Sequence, residues 1–217
     1  MLSDVMEDYL KAIYVLQTRD GPPVSTSDIA EEVEKTSPTV TDMLSKLADR
    51  GLVDREPYTG VELTPEGEAV ALEVIRHHRL LEAYLAEHLD YDWSEVHDEA
   101  DRLEHHISEE FERRVAAALD DPEVDPHGDP IPGADLEPVD DDSVGLAKCS
   151  PGDRVTVTRV SDRDDEELAY LDEAGVTPGT EMEITDVAPF GMITVRTPAG
   201  EQSLPEAVAN SIRVRPA

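Results

Sequence analysis

The sequence predicts an α+β chain of three domains: an N-terminal winged helix-turn-helix, a helical middle that pairs with a second copy, and a small C-terminal β-barrel. Three observations predict it. Apolar residues recur every three or four positions through the first half of the chain. Two short helices and a hairpin-sized alternation follow one another near the N-terminus, and from about Val144 the apolar period drops to two. The boundaries are read as residues 1–72, 73–143 and 144–217.

Residues 4–19, DVMEDYLKAIYVLQTR, read as a helix with Val5, Tyr9, Leu10, Ile13 and Leu16 inward and Asp8 beside that face. Gly21, Pro22 and Pro23 stop it. Ser25 or Ser27 can cap the next helix, SDIAEEVEK. After a turn at Thr36, Ser37 as N-cap and Pro38 at the first helical position open TVTDMLSKLADR, which ends at Gly51. Val40, Leu44 and Leu47 form its buried edge, while Thr36, Ser37, Pro38, Thr39, Thr41 and Asp42 face outward, with Lys46 further along. Two short helices joined by a tight turn are a helix-turn-helix. The stretch LVDREPYTGVELTPEG then alternates as two strands around Tyr58, Thr59 and Gly60, the wing.

Thr64 caps the long helical run PEGEAVALEVIRHHRLLEAYLAEHL, and a second amphipathic helix runs from about Ser94 to Leu119. Its apolar stripe is Val96, Ala100, Leu103, Ile107, Phe111 and Val115. Together these helices carry more apolar surface than a small winged domain covers, which predicts a homodimer. The segment DDPEVDPHGDPIPGADLEPVDDD reads as covering loop and linker. Beyond it DRVTVTRV, EMEITDV, MITVRT and SIRVR read as short strands, with DRDDEELAYLDEAGV as a helix between the first two.

The stretch HDEADRLEHH concentrates the chemistry. At helical spacing Asp101, Glu104 and His105 share a face, with His97 one turn earlier. Two carboxylates and an imidazole converging within a turn are costly to pack unless they pair, hydrogen-bond or bind a cation. His78 and Glu82 make a second i, i+4 pair, and six of the seven histidines lie between His77 and His106.

Asp and Glu number 51 against 18 Lys and Arg, for a formal net charge of −33. Molar salt screens such an excess, so the surface reads as adapted to a very salty cytoplasm. Acidity ordinarily argues against nucleic acid, but concentrated salt removes most of the phosphate term anyway. With Cys149 as the single cysteine, no internal disulfide and no multi-thiolate zinc site can form. No apolar run is long enough to span a bilayer, and the expectation is a cytoplasmic protein without a membrane partner.

Through TSPTVTDMLSKLADRGLV, HHRLLEAYL, VHDEADRLEHHISEEFERRV and HGDPIPG, the chain resembles the diphtheria toxin repressor family of metal-dependent transcriptional regulators over nearly its whole length. The resemblance implies an SH3-like (FeoA-like) fold for the third domain. It also implies a non-enzymatic repressor of metal-ion uptake and homeostasis genes that grips a palindromic duplex operator as a homodimer and takes no small-molecule substrate. Its first metal site maps to Asp8, Asp101, Glu104 and His105, and its second to His78, Glu82 and His97, completed by Asp164 and Glu167. Thr26, Ser27 and the outward residues of the helix at Thr36–Lys46 map to the DNA-binding surface, and Thr26 and Asp28 stand where relatives carry arginines. The iron-responsive branch has a thioether at Asp8 and a thiol at Asp101, both missing here. The manganese-responsive branch has a further carboxylate where this chain has Lys11. Hard ligands without sulfur predict Mn(II), with Fe(II) as the alternative.

Overall fold

A computed structural model describes residues 2–56, 59–138, 142–162, 164–189 and 191–217. Tyr58, expected at the tip of the wing, lies outside these residues. The chain forms two compact units. The first comprises Met1–His78, Glu104–Ile107 and Pro132–Pro138, and the second Arg79–Leu103, Ser108–Ile131 and Val139–Ala217.

In the first unit, α1 (Asp4–Asp20) starts after Ser3 with Asp4 and Glu7 in its first turn, where carboxylates favour the positive end of the helix dipole. It buries Met6, Tyr9, Leu10, Ile13 and Leu16, whereas Val5, expected inward, is 49% exposed. Met6 stands three and four residues before Tyr9 and Leu10, and so continues the packed stripe. Ser25 caps α2 (Thr26–Glu32) by accepting from the Asp28 N–H. Thr36, one residue earlier than expected, is the N-cap of α3 (Ser37–Asp49). Val40, Leu44 and Leu47 bury against α1 and α2 in one core, and β1 (Val53–Glu56) pairs antiparallel with β2 (Gly60–Leu63) as the wing. The first 14 residues of α4 (Pro65–Leu89) belong here as well. The Thr64 hydroxyl donates to the Gly51 carbonyl and accepts from the Gly67 N–H, which fixes the start of that helix.

The expected single helix from Ser94 to Leu119 is two helices, α5 (Val96–Leu103) and α6 (Glu109–Ala118). Ser108 breaks it by capping α6 from the Phe111 N–H, with Glu109, Glu110 and Glu112 behind it. Residues 104–107 are released from the helix and belong to the first unit. This corrects the shared helical face: Asp101 is on α5, and Glu104 and His105 lie in the turn after it.

In the second unit Leu80, Ala83, Val115, Ala116, Leu119 and Ile131 make a small helical core. The remainder is a six-stranded antiparallel sheet in the order β3-β8-β4-β5-β6-β7. Its strands are β3 (Val144–Gly145), β4 (Arg154–Val160), β5 (Glu181–Ala188), β6 (Met192–Thr197), β7 (Gly200–Pro205) and β8 (Ile212–Pro216). The register slips at Val157/Arg159 and at Ile184/Asp186, the irregularities that let a small sheet bend. Helices α7 (Asp165–Glu173) and α8 (Glu206–Asn210) cover one core built on Val157, Leu168, Leu171, Ile184, Val195 and Val214.

Candidate metal centres and a DNA-facing helix

Two clusters of carboxylates and imidazoles stand out, one in each unit. In the first, ligand atoms of Asp8, Glu104 and His105 lie within 4.8 Å of one another. His105 Nδ1 is 2.8 Å from Glu7 Oε2, and Nε2 is 2.8 Å from Asp8 Oδ1 and 3.4 Å from Glu104 Oε1. With its proton on Nδ1, the ring donates to Glu7 and turns the Nε2 lone pair toward two carboxylate oxygens. That arrangement is repulsive unless a proton or a cation stands between them.

Burial disfavours charge on His105, but Glu7, Glu104 and Asp8 outweigh it and raise its pKa. Burial also raises the Asp8 carboxyl against the pull of His105. Glu104 is 1% exposed. Burial works against its charge, yet the His78 hydrogen bond and the Lys11 ammonium hold its carboxyl below the usual range. The Asp8 side chain is half exposed and leaves the cluster open to solvent.

Glu7 was not among the expected site residues. It lies in the first turn of α1, next to Asp8, and the only signal was the doubled acid. A carboxylate on the far nitrogen of a ligating imidazole fixes its tautomer and raises its basicity. Glu7→Ala is therefore expected to weaken Mn(II) binding by about 10–100-fold without changing how many ions bind, as read by competition with a chelating dye.

The second cluster is more deeply buried. Glu82, Asp125 and His127 are 0%, 5% and 0% exposed and bring one ligand atom each within 4.8 Å. His127 Nε2 donates to the Trp93 carbonyl at 2.7 Å, which turns Nδ1 toward Glu82 Oε1 at 3.8 Å. Asp125 Oδ1 accepts from the backbone N–H of His127 and of Asp129, an Asx turn that shapes the loop. Its Oδ2, like His127 Nδ1, is buried without a hydrogen bond. Arg79 Nε stands 3.8 Å from Asp125 Oδ2, and a buried imidazole nitrogen without a hydrogen bond beside carboxylates is chemistry that a cation would satisfy. Glu82 also reaches His97 at 3.3 Å, and His97 Nδ1 is 3.1 Å from Asp162.

Burial, then the charges of Asp129 and Glu82, push the Asp125 carboxyl well up. Burial opposes charge on His127, but Glu82 leads Asp125 and Asp162 in overcoming it, and its pKa is pushed up to about 9. A raised imidazole contributes stability in full below its unfolded value near 6.5 and loses it as pH rises through the folded value. Metal-free protein is expected to lose thermal stability between about pH 6.5 and 9. Mn(II), replacing the proton, should flatten that loss in the same melting series.

Among the expected second-site residues, Glu82 and His97 come together. His78 belongs to the first unit, with Nδ1 2.5 Å from Glu104 Oε2. Asp164 and Glu167 are engaged elsewhere: Asp164 caps α7 by accepting from the Glu167 N–H, and Glu167 accepts from the Ser211 hydroxyl. Asp162, two residues before that cap, is the carboxylate beside His97. The acidic run alone gave no way to select it. Asp101, the fourth residue expected in the first site, stands on α5 in the second unit, with Oδ2 3.7 Å from His97 Nε2.

On α3, Thr36, Ser37, Pro38, Thr39, Thr41, Asp42 and Lys46 are all exposed, opposite buried Val40, Leu44 and Leu47. The Thr36 and Thr39 hydroxyls lie 2.9 Å apart at its N-terminus, and Lys46 pairs with Asp42 at 3.6 Å. On α2, Ser27 is exposed, its hydroxyl 2.8 Å from that of Ser25, and Thr26 is half-buried.

Residues 1–61 match the family model described as iron dependent repressor, N-terminal DNA binding domain. Residues 64–133 match iron dependent repressor, metal binding and dimerisation domain, and residues 144–216 match the FeoA domain. The diphtheria toxin repressor of Corynebacterium efficiens is 35% identical over 225 residues, covering 98% of this chain and 96% of the relative. The chain belongs to the diphtheria toxin repressor family. The iron-dependent repressor IdeR of Mycobacterium tuberculosis is 34% identical across 98% of this chain and 97% of its own. A solved manganese-dependent transcriptional repressor in complex with manganese superimposes with a TM-score of 0.92 at 38% identity, covering 98% of this chain and all of the other. As a diphtheria toxin repressor relative, the protein is a metal-dependent, DNA-binding transcriptional regulator that dimerises. No helix among the described residues is long and apolar enough to cross a membrane.

Proposed function

We propose that this regulator is a cytoplasmic repressor of metal-ion uptake and homeostasis genes whose activating ion is Mn(II). The observation that carries the choice is the donor set. Asp8, Glu104 and His105 offer only carboxylate oxygen and imidazole nitrogen, and so do Glu82, Asp125 and His127. The single cysteine, Cys149, packs against the core of the C-terminal sheet. Hard ligands of this kind suit Mn(II) first and Fe(II) next. Copper, nickel and zinc bind such sites more tightly in principle, so selectivity rests on geometry and on cellular supply.

Asp8, Glu104 and His105 are the residues of this chain that would hold the ion of the first centre, with Asp101 assigned to the same ion by sequence pattern alone. Glu82, Asp125 and His127 would hold a second, beside His97 and Asp162. A bound dication would neutralise the converging carboxylates and supply no reaction chemistry.

Asp8 rides on α1, which packs against α2 and α3, while Glu104 and His105 sit on the segment that continues from α5. Holding Asp8 to His105 therefore ties the body that carries the recognition helix to the chain leading into the dimer half. A symmetric dimer reads two half-sites of a palindrome only when its recognition helices keep one spacing. Contact with DNA falls to the exposed residues of α3, its hydroxyls and N-terminus on phosphate and the Pro38 ring on a thymine methyl. Thr26 and Ser27 sit where they support the backbone contact.

The test is operator binding in molar KCl with Mn(II) and with anaerobic Fe(II). Activation at lower free Mn(II) than Fe(II) supports the reading. Activation by Fe(II) alone makes the protein an iron regulator with the same fold.

A further inference from the structure

We propose that Lys11 is a built-in cation of the first metal centre: its ammonium takes the side of Glu104 that a second divalent ion would otherwise hold, and so limits the centre to one ion. This rests on the metal-binding reading of Asp8, Glu104 and His105.

Lys11 lies three residues after Asp8, so both side chains leave the same face of α1. Its Nζ is 3.1 and 2.9 Å from the two carboxylate oxygens of Glu104 and 3.2 Å from His78 Nδ1. The ammonium spans both Glu104 oxygens; Oε2 also meets His78, and Oε1 also faces His105, the ring that bonds Asp8. On the Asp8 side the nearest groups are a carboxylate and an imidazole lone pair, which invite a dication. On the Lys11 side a positive charge already stands against the same carboxylate, and it repels one.

The charge count agrees. Glu7, Asp8, Glu104 and Lys11 together carry two net negative charges, which one divalent ion neutralises. A second would leave the group at plus two inside a partly desolvated pocket, where like charges repel strongly. Replacing Lys11 by a carboxylate changes the group by two charges, the charge of one divalent ion, and supplies a ligand at the same point. A merely structural Lys11–Glu104 ion pair predicts no change in the number of ions bound.

The experiment counts Mn(II) per chain in the full-length protein by equilibrium dialysis in molar KCl. Lys11→Glu is expected to bind one ion more than the wild type, and His105→Ala one fewer. Lys11→Met removes the charge but keeps the stem. It should leave the count unchanged and bind the first-centre ion at least about tenfold tighter. If His105→Ala loses an ion while Lys11→Glu gains none, the inference about Lys11 is overturned and the centre stands. If His105→Ala loses nothing, the centre itself is wrong. Should Lys11→Glu fail to fold by circular dichroism, unchanged affinity in Lys11→Met overturns the inference.

Discussion

His105→Ala is expected to reduce operator affinity in saturating Mn(II) to the metal-free level, a loss of at least about 100-fold, while the dimer stays folded. His105 is the nitrogen donor beside Asp8 and Glu104, and through Asp8 and Glu7 it holds residues 104–107 against α1. Removing it deletes both the ligand and the tie. The helical core of the second unit, built on Leu80, Ala83, Val115 and Ala116, does not involve it and should keep its packing. Fluorescence anisotropy on a labelled operator, with sedimentation of the same sample, separates loss of grip from loss of fold. An unchanged Mn(II) response in this variant would refute the assignment. Glu104→Ala is a poorer probe, because it strips the buried counter-charge from Lys11 and His78 and destabilises the metal-free state as well.

Gly128→Ala is the second large effect. Gly128 has φ +88°, and a Cβ there would stand 2.0 Å from the Thr158 carbonyl oxygen in β4. A left-handed backbone and a clash against main chain cannot both be relieved by a rotamer change. The loop must move, and with it the neighbouring His127, whose carbonyl accepts from the Val160 N–H. We expect a loss of about 3 kcal/mol and a fall in Tm of about 10 °C. Mn(II) should also be lost selectively from the centre of Glu82, Asp125 and His127. Gly145→Ala is the matched control, since nothing lies within 4 Å of its Cβ position, and it should melt within about 2 °C of the wild type.

Much of this molecule was legible in its sequence, and the misses have physical causes. The winged helix could be read because caps, Pro38 and the apolar spacing of Val40, Leu44 and Leu47 agree, so local signals and tertiary packing point the same way. The broken helix was missed because its apolar stripe runs on in register through the break. Ser108 followed by acids was a start signal, and it was outweighed by periodicity. Glu104 and His105 could be read from helical spacing, yet they meet Asp8 from a turn rather than from a helix face.

Asp125 and His127 escaped notice because their segment reads as a polar linker. Its role depends on an Asx turn and on Trp93, which is remote in sequence. Asp162 and Asp164 are alike by spacing, and only the fold puts Asp162 beside His97 and Asp164 at the cap of α7. Strand β7, GEQSLP, carries no alternation of branched residues, and its pairing with β6 is what makes it a strand.

The most direct test of the central claim is a crystal soaked in Mn(II), with anomalous data collected at the manganese edge. A peak bounded by Asp8, Glu104 and His105 is the predicted result. Featureless anomalous density among those three side chains, with the protein intact, would contradict the account.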